Sequence, residues 1–306
     1  MALFSIIIPV YNSEELVAKT VHAILDEMEH HRFEIEMILV NDGSPDGSWE
    51  VISQLARQFS NVRSINLLHN FGQHTAVLCG IAHAKGEYLV TMDDDLQNPP
   101  SELPKLFAKI AEGYDLVFAR FDQKKHAGYR KLGSKIIGYL NKKVFDKPDD
   151  IVLTNFRIFT KETAQRVLQY RTNYPYIPGM LLMSAGRIAN VTTSHHSRER
   201  GTSNYSIWKI LQLVSRLLFN YSSYPLRLVS TMGLVISAVS FLGGLGYMAK
   251  SFFLGVSVAG WTTIVVLISF LIGFVLIILG IMGEYLARIM NQLATDKPYQ
   301  IRDIVE

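Results

Sequence analysis

A single cysteine, Cys79, is all that the 306-residue chain contains. No intramolecular disulfide can hold the fold, so its stability must come from a buried core, as fits a reducing compartment. Zinc-ligand spacings, an aromatic RNA-binding motif and dense arginine tracts are also missing, and a net charge of +3 supplies no broad basic field. Nucleic acid is therefore excluded as a partner. The apolar stretch from Phe4 to Val10 is no signal peptide, because it is short, lacks a basic flank and is interrupted by Pro9. The most informative absence is local: no charge falls between Leu228 and Ala249, and none between Ser251 and Gly283. Both runs exceed the ~20 residues that a bilayer crossing requires. Core helices of soluble proteins rarely avoid charge for so long, so two transmembrane helices are expected.

Ahead of those runs, the chain reads as a soluble α/β enzyme. Leu3–Val10, Ile35–Val40 and Val62–Leu67 are apolar enough for buried strands, and helical spacing predicts helices over Glu14–Met28, Trp49–Phe59 and the stretch up to Ala84. Strands alternating with helices imply a mostly parallel, Rossmann-like sheet whose ligands gather at the carboxyl ends of the strands. Two such ends carry acids, Asp42 in the turn Asn41-Asp42-Gly43-Ser44, and Asp93-Asp94-Asp95 after Glu87–Met92. In an extended chain Asp93 and Asp95 project to one face, with Gln97 one step further along, while Asp94 points away. Two carboxylates on one face, completed by water and substrate phosphate, suit Mg²⁺ or Mn²⁺. Asp42, if not simply an Asx turn, would accept hydrogen bonds from a nucleotide base or ribose.

Further along, Tyr129–Val144 places Leu132, Ile136, Leu140 and Val144 opposite Lys131, Lys135 and Lys142, which is a basic amphipathic helix. It is either an ordinary solvated face or a surface for anionic headgroups. Tyr205–Tyr221 shows a second stripe just before the first apolar run and reads as a helix lying in the interface, with Trp208 at headgroup level. Arg216 and Arg227 precede the first run, Arg288, Lys297 and Arg302 follow the second, and only Lys250 lies between. That bias puts both termini in the cytoplasm. The expected division is thus a catalytic domain over 1–200, a juxtamembrane amphipathic region over 201–227, a transmembrane hairpin over 228–288 and a cytoplasmic tail over 289–306.

Pro9-Val10-Tyr11-Asn12, Asn41-Asp42-Gly43-Ser44 and the Asp-x-Asp pair at Asp93 and Asp95 together resemble the family 2 glycosyltransferases of GT-A fold. Asp95-Leu-Gln-Asn-Pro-Pro100, Asn70-Phe-Gly-Gln-His74 and Gly283-Glu-Tyr-Leu-Ala-Arg288 look most like the polyprenyl-phosphate branch of that family. The resemblance implies a metal held by Asp93, Asp95 and Gln97, and a nucleotide framed by Pro9, Tyr11, Asn12, Asp42, Asp93 and Asp94. It also implies a lipid phosphate met by Arg120, Arg130 and Arg198, with Asp95, Arg130 and Arg198 taking part in catalysis. Where many relatives carry Asp-Phe-Arg, with the aspartate proposed as a base, this chain has Asn155-Phe156-Arg157, and Asn155 cannot take a proton. A phosphate acceptor needs no base, since its second pKa is about 6 and its oxygen is already anionic at neutral pH.

The function implied is inverting, metal-dependent transfer of a sugar, most simply from a UDP-sugar, to polyprenyl phosphate at a bacterial inner membrane. Homo-oligomers, tetramers among them, belong to the same resemblance. Two rivals stand beside it. A processive polysaccharide synthase would show a Gln-x-x-Arg-Trp motif and more spans, both missing here. A non-catalytic membrane scaffold would not need Asp42, Asp93 and Asp95 together, and sugar-nucleotide turnover discriminates against it.

Overall fold

The computed structural model describes residues 2–121, 128–194, 214–215, 217–222, 224–254, 260–294 and 297–306. It divides into two units, Met1–Gln212 with Thr295–Glu306, and Leu213–Ala294.

The first unit is built on strands β1 (Leu3–Val10), β2 (Glu34–Asn41), β3 (Val62–Leu67), β4 (Tyr88–Thr91), β5 (Leu116–Phe121), β6 (Arg157–Thr160), β7 (Ile188–Thr193) and β8 (Ile301–Val305). They form one sheet in the order β7-β5-β6-β4-β1-β2-β3-β8. β4, β1, β2 and β3 run parallel, as do β5 and β7, whereas β6 is antiparallel to both its neighbours and β8 is antiparallel to β3. The expected mostly parallel α/β architecture is thus present, and its four central parallel strands are buried on both faces, which is why they read as unbroken apolar runs.

Alternation along β1 distributes the core. Ile6 and Ile8 face a cluster with Val17, Val21 and Ile24 of α1 (Val17–His31), Ile52 and Leu55 of α2 (Ser48–Gln58), and Leu106 and Phe107 of α4 (Leu103–Ile110). Ile7 faces the opposite side, where α3 (Gln73–His83) lies so close that a Cβ on Gly80 would sit 2.3 Å from the Ile7 side chain. Glycine at that position sets how near α3 comes to β1, and so where its first residue, Gln73, ends up. On the same side, α5 (Gly128–Phe145) packs Phe145 against Gly179 of α7 (Ile177–Ser184), and α6 (Lys161–Leu168) starts at Thr160, whose side chain caps the Thr163 N–H. The predicted basic helix is therefore helical, with Leu140, Asn141 and Phe145 buried and Lys142 exposed and paired with Asp149.

Residues 301–305, within the expected cytoplasmic tail, form the edge strand β8. The Leu68 N–H donates to the Gln300 carbonyl at 2.9 Å, Tyr299 is buried, and Arg63 pairs with Glu306. Burial pushes the Cys79 thiol up to about 12 against the opposing hydrogen bond with the Tyr299 hydroxyl, so it stays protonated and packs as an apolar group.

The second unit contains α8 (Tyr224–Leu254) and α9 (Trp261–Ala294). Among the described residues only Phe270–Met290, with mean hydropathy 2.3 and none of its span buried, is long and apolar enough by itself to cross a membrane; Tyr224–Ile236 is a shorter apolar stretch. Lys250, expected in a loop, lies within α8, which continues to Leu254. Most of the proposed interfacial helix, including Trp208, lies outside the described residues, while 217–221 is helical. The Glu284-Tyr-x-x-Arg288 pattern has a clear local role here. Tyr285 donates to the Ser222 carbonyl at 3.0 Å, and Arg288 binds Glu284 and Asn220 and lies over the Phe219 ring. It fixes the segment entering α8 against the far end of α9.

Candidate active site

β4 stops at Thr91, and the three acids lie in the bend beyond it, where Leu96 adopts a left-handed φ of 56°. Strand alternation therefore does not by itself decide where they point, and the bend brings all three near one another. A cavity between β1, α3 and β4 is lined by Pro9, Gln73, His74, Thr91, Asp93 and Asn155, with Arg157 behind it.

Asp93 is the best-held acid. Its Oδ1 accepts from the Gln73 side-chain amide at 2.6 Å, and the Asn155 amide stands 3.5 Å from both of its oxygens. Burial drives its carboxyl well above the usual range, Asp95 adds to that rise, and Asn155, Arg157 and Gln73 oppose it. Arg157 is 1% exposed, and burial pulls its guanidinium down to about 10, so it remains charged at neutral pH. Its Nε donates to Thr91 Oγ1 at 3.0 Å and its Nη1 to the Thr154 carbonyl at 3.3 Å; Thr91 Oγ1 in turn donates to the Asn155 carbonyl at 2.7 Å. Isolating such a cation in the interior would be costly, and the neighbouring carboxylate offsets that cost. Asp95 Oδ1 accepts from the Gln97 N–H at 3.2 Å, so Gln97 touches the cluster through its backbone.

Asp94 does not point into solvent. Burial raises it to about 7, a hydrogen bond from Ser13 opposes the rise, and the adjoining Asp93 and Asp95 reinforce it. Thr20 donates to its carbonyl at 2.8 Å, which ties the bend to α1.

Asp42 directly follows β2 at 3% exposure, and its two oxygens accept the N–H groups of Phe71 and Gly72 at 2.8 and 2.9 Å. Burial lifts its carboxyl to about 6 against those two bonds and the nearby His69. The next residue, Gly43, has a φ of 63°, and a Cβ there would be 2.5 Å from the His69 carbonyl carbon. Only glycine fits that close approach. Asp42 and Gly43 thus fix the 69–72 loop, which delivers Gln73. Tyr11 is half exposed, and the Asn12 N–H donates to Ser44 at 3.1 Å with Asn12 at a left-handed φ of 57°.

The structure brings Pro9 and Asp93 to one cavity and Asp94 and Asp95 to its border. Arg120 is exposed at the carboxyl end of β5. Arg130 falls in the first turn of α5, and Arg198 lies outside the described residues. Sequence reasoning missed Gln73 and Arg157 as parts of the site. Gln73 stood inside a quoted motif, and Arg157 could have been suspected as a charge within an otherwise apolar strand.

Among the described residues no group of three or more His, Cys, Asp or Glu side chains could hold a metal. Two carboxylates can still bind a hard cation whose remaining positions are filled by water and substrate oxygens. The fit rests on Asp93 and Asp95, two carboxylates close enough to interact, of which Asp93 is contacted directly by the neutral amides of Gln73 and Asn155.

The profile of the Glycosyl transferase family 2 matches residues 5–198. An undecaprenyl-phosphate 4-deoxy-4-formamido-L-arabinose transferase of Photorhabdus laumondii is 33% identical over 304 residues, covering 98% of this chain and 94% of that protein. The protein of the same name from Proteus mirabilis is 32% identical, over 98% and 93%. Glucosyl-3-phosphoglycerate synthase from Mycobacterium tuberculosis, solved with Mn²⁺, UDP and its product, superimposes with a TM-score of 0.53 at 17% identity, covering 72% of this chain and 80% of that one. Mannosyl-3-phosphoglycerate synthase from Rubrobacter xylanophilus gives 0.52 at 15%, over 74% of each. At such identities the structural likeness is one of fold, and it is the GT-A fold.

Proposed function

The chain belongs to glycosyl transferase family 2 and is a glycosyltransferase; from that premise we propose that it moves a sugar, with inversion, from a UDP-sugar to undecaprenyl phosphate. The observation carrying the proposal is the Asp93–Asp95 pair at the end of β4, its Asp93 held by the Gln73 and Asn155 amides, in a site that offers no general base at position 155. The acceptor named for the relatives is undecaprenyl phosphate, and an anionic phosphate oxygen can attack without surrendering a proton.

In this reading Asp93 and Asp95, with Gln97 beside them, hold Mg²⁺ or Mn²⁺ against the donor diphosphate. When bound, the cation neutralises charge developing on the leaving group. Pro9, Tyr11 and Asn12 frame the nucleotide, and Asp42 acts with them by holding the 69–72 loop. Arg120, Arg130 and Arg198 clamp the lipid phosphate, for which planar guanidinium forks are well suited. Arg130 and Arg198, with Asp95, are the catalytic groups.

A membrane acceptor explains the apolar second unit. Residues on both sides of it, up to 194 and again from 297, belong to the first unit. A chain that returns to the same folded sheet must cross a bilayer an even number of times, which favours two spans over one with both termini on one side, and the basic residues flanking the apolar runs favour the cytoplasmic side. Gly260→Cys in a Cys79→Ala background would then react with an impermeant thiol reagent from the periplasmic side; labelling only after membrane disruption would refute that topology. Transfer itself is tested with purified full-length protein, undecaprenyl phosphate and labelled UDP-, GDP- and dTDP-sugars. The proposal expects label from one UDP-sugar in the organic phase. Release of free sugar alone, or transfer from another nucleotide class alone, would overturn it.

A further inference from the structure

We infer that Gln73 and Asn155 are positioning residues: their side-chain amides form a neutral clamp that fixes Asp93 in the orientation in which it accepts a divalent cation. The inference rests on the metal reading given above and assigns the groups that prepare one of its ligands.

Asp93 sits past the end of β4 in a bend, so its own backbone gives it little restraint. An ionised carboxylate offers about four acceptor sites on two oxygens. Gln73, reaching from the first residue of α3, occupies one on Oδ1 at 2.6 Å, and Asn155, from the turn before β6, approaches both oxygens at 3.5 Å. The donors come from two elements distant in sequence and meet on one carboxylate, leaving acceptor sites for a cation.

Neutral donors matter here. A lysine or arginine in direct contact would orient the carboxylate equally well but would also cancel the charge that attracts the metal. The buried cation is held one layer back instead. Arg157 bonds to Thr91 Oγ1 and the Thr154 carbonyl, and Thr91 bonds to the Asn155 carbonyl, so the guanidinium shapes the 154–155 turn that presents the Asn155 amide. Gln73 is placed from the other side by the Asp42 bonds to Phe71 and Gly72 and by the close packing of Gly80 on Ile7. Groups that orient a metal ligand in this way typically change metal affinity by about 10- to 100-fold when removed. A neutral amide clamp should lie at the lower end.

The probe is Mn²⁺ itself, titrated by electron paramagnetic resonance into full-length protein with saturating UDP. Gln73→Ala and Asn155→Ala should each weaken Mn²⁺ binding by about tenfold, with the melting temperature and the KM for undecaprenyl phosphate unchanged. In an Asp93→Ala background the same two substitutions should have no further effect on Mn²⁺ binding, because the group they act through is gone. Asn155→Gln should recover part of the loss. Unchanged Mn²⁺ affinity in both single variants would overturn the clamp, and so would equal losses in the presence and absence of Asp93. If the wild type binds no Mn²⁺ with UDP, the metal reading fails and the clamp with it; wild-type binding with indifferent variants removes the clamp alone.

Discussion

Two strand ends in this protein carry acids, and the chain uses them differently. At the end of β2, both oxygens of Asp42 are taken by backbone N–H groups of a neighbouring loop, and the residue is almost wholly buried. At the end of β4, Asp93 is met by the side-chain amides of Gln73 and Asn155, next to a second carboxylate, Asp95, whose Oδ1 accepts the Gln97 N–H. Backbone donors that belong to a loop convert an acid into a fastener; amide donors aim it and leave capacity for a ligand. The contrast teaches that position in an α/β sheet identifies a candidate, while the donors around the carboxylate decide what it does.

The comparison breaks most sharply at Asp95. Asp95→Asn should lower kcat by about 100-fold or more, with little change in melting temperature, because it removes charge from the cation site without disturbing the core. Asp42→Asn should do the reverse. Its new NH₂ group would face a backbone N–H that now has an acceptor, at a cost of about 1–3 kcal/mol, so the expected readouts are a lower melting temperature, a several-fold higher donor KM and a loss of Mn²⁺ affinity no larger than that of Gln73→Ala.

The pH dependence of stability sharpens the same point. Burial raises Asp42 from 3.8 to about 6, so the folded protein holds that proton more tightly than the unfolded chain. Stability from this group is therefore greatest below pH 3.8, declines as pH rises across that window and is lost above about 6. Thermal melts without metal should show that decline in the wild type and a flatter profile in Asp42→Asn; parallel profiles would contradict the assignment.

Smaller effects are expected from residues at the border of the site. Asn155→Asp would place a further carboxylate beside Asp93 and Asp95, and an acceptor that is already anionic gains nothing from a base. Its kcat should rise less than tenfold, and a larger rise would restore the base mechanism. Asp94→Asn should be milder still, within about threefold in kcat, since its carboxyl turns toward Ser13.

Much of this architecture was legible in the sequence because its signals are local. β1 and β3 fall at Leu3–Val10 and Val62–Leu67 as their apolar runs predicted, and α2 and α3 lie within a residue or two of expectation. β8 was not legible: Ile-Arg-Asp-Ile-Val is short and carries two charges in five residues, and its partner β3 lies more than two hundred residues upstream. Arg157 was hidden for a related reason, since Asp93, the carboxylate whose charge favours it, is sequence-distant and its burial depends on an antiparallel strand inserted between β4 and β5. Charge-free runs located the apolar helices but not the break between them, because α8 carries Lys250 within its last two turns. For Asp42 the residue was found and its use was misjudged in part. Whether an aspartate at a turn meets a ligand or a loop depends on backbone donors that sequence spacing does not reveal.

The central claim is that the Asp93–Asp95 end of β4 works through a bound divalent cation, and metal removal tests it most directly. Undecaprenyl-phosphate glycosylation by the purified full-length chain would be followed in EDTA and after Mn²⁺ is returned in excess. The account predicts at least about 100-fold loss in EDTA, full recovery with Mn²⁺ in the wild type and in Asp42→Asn, and none in Asp95→Asn. Turnover in EDTA equal to that in Mn²⁺ would contradict it.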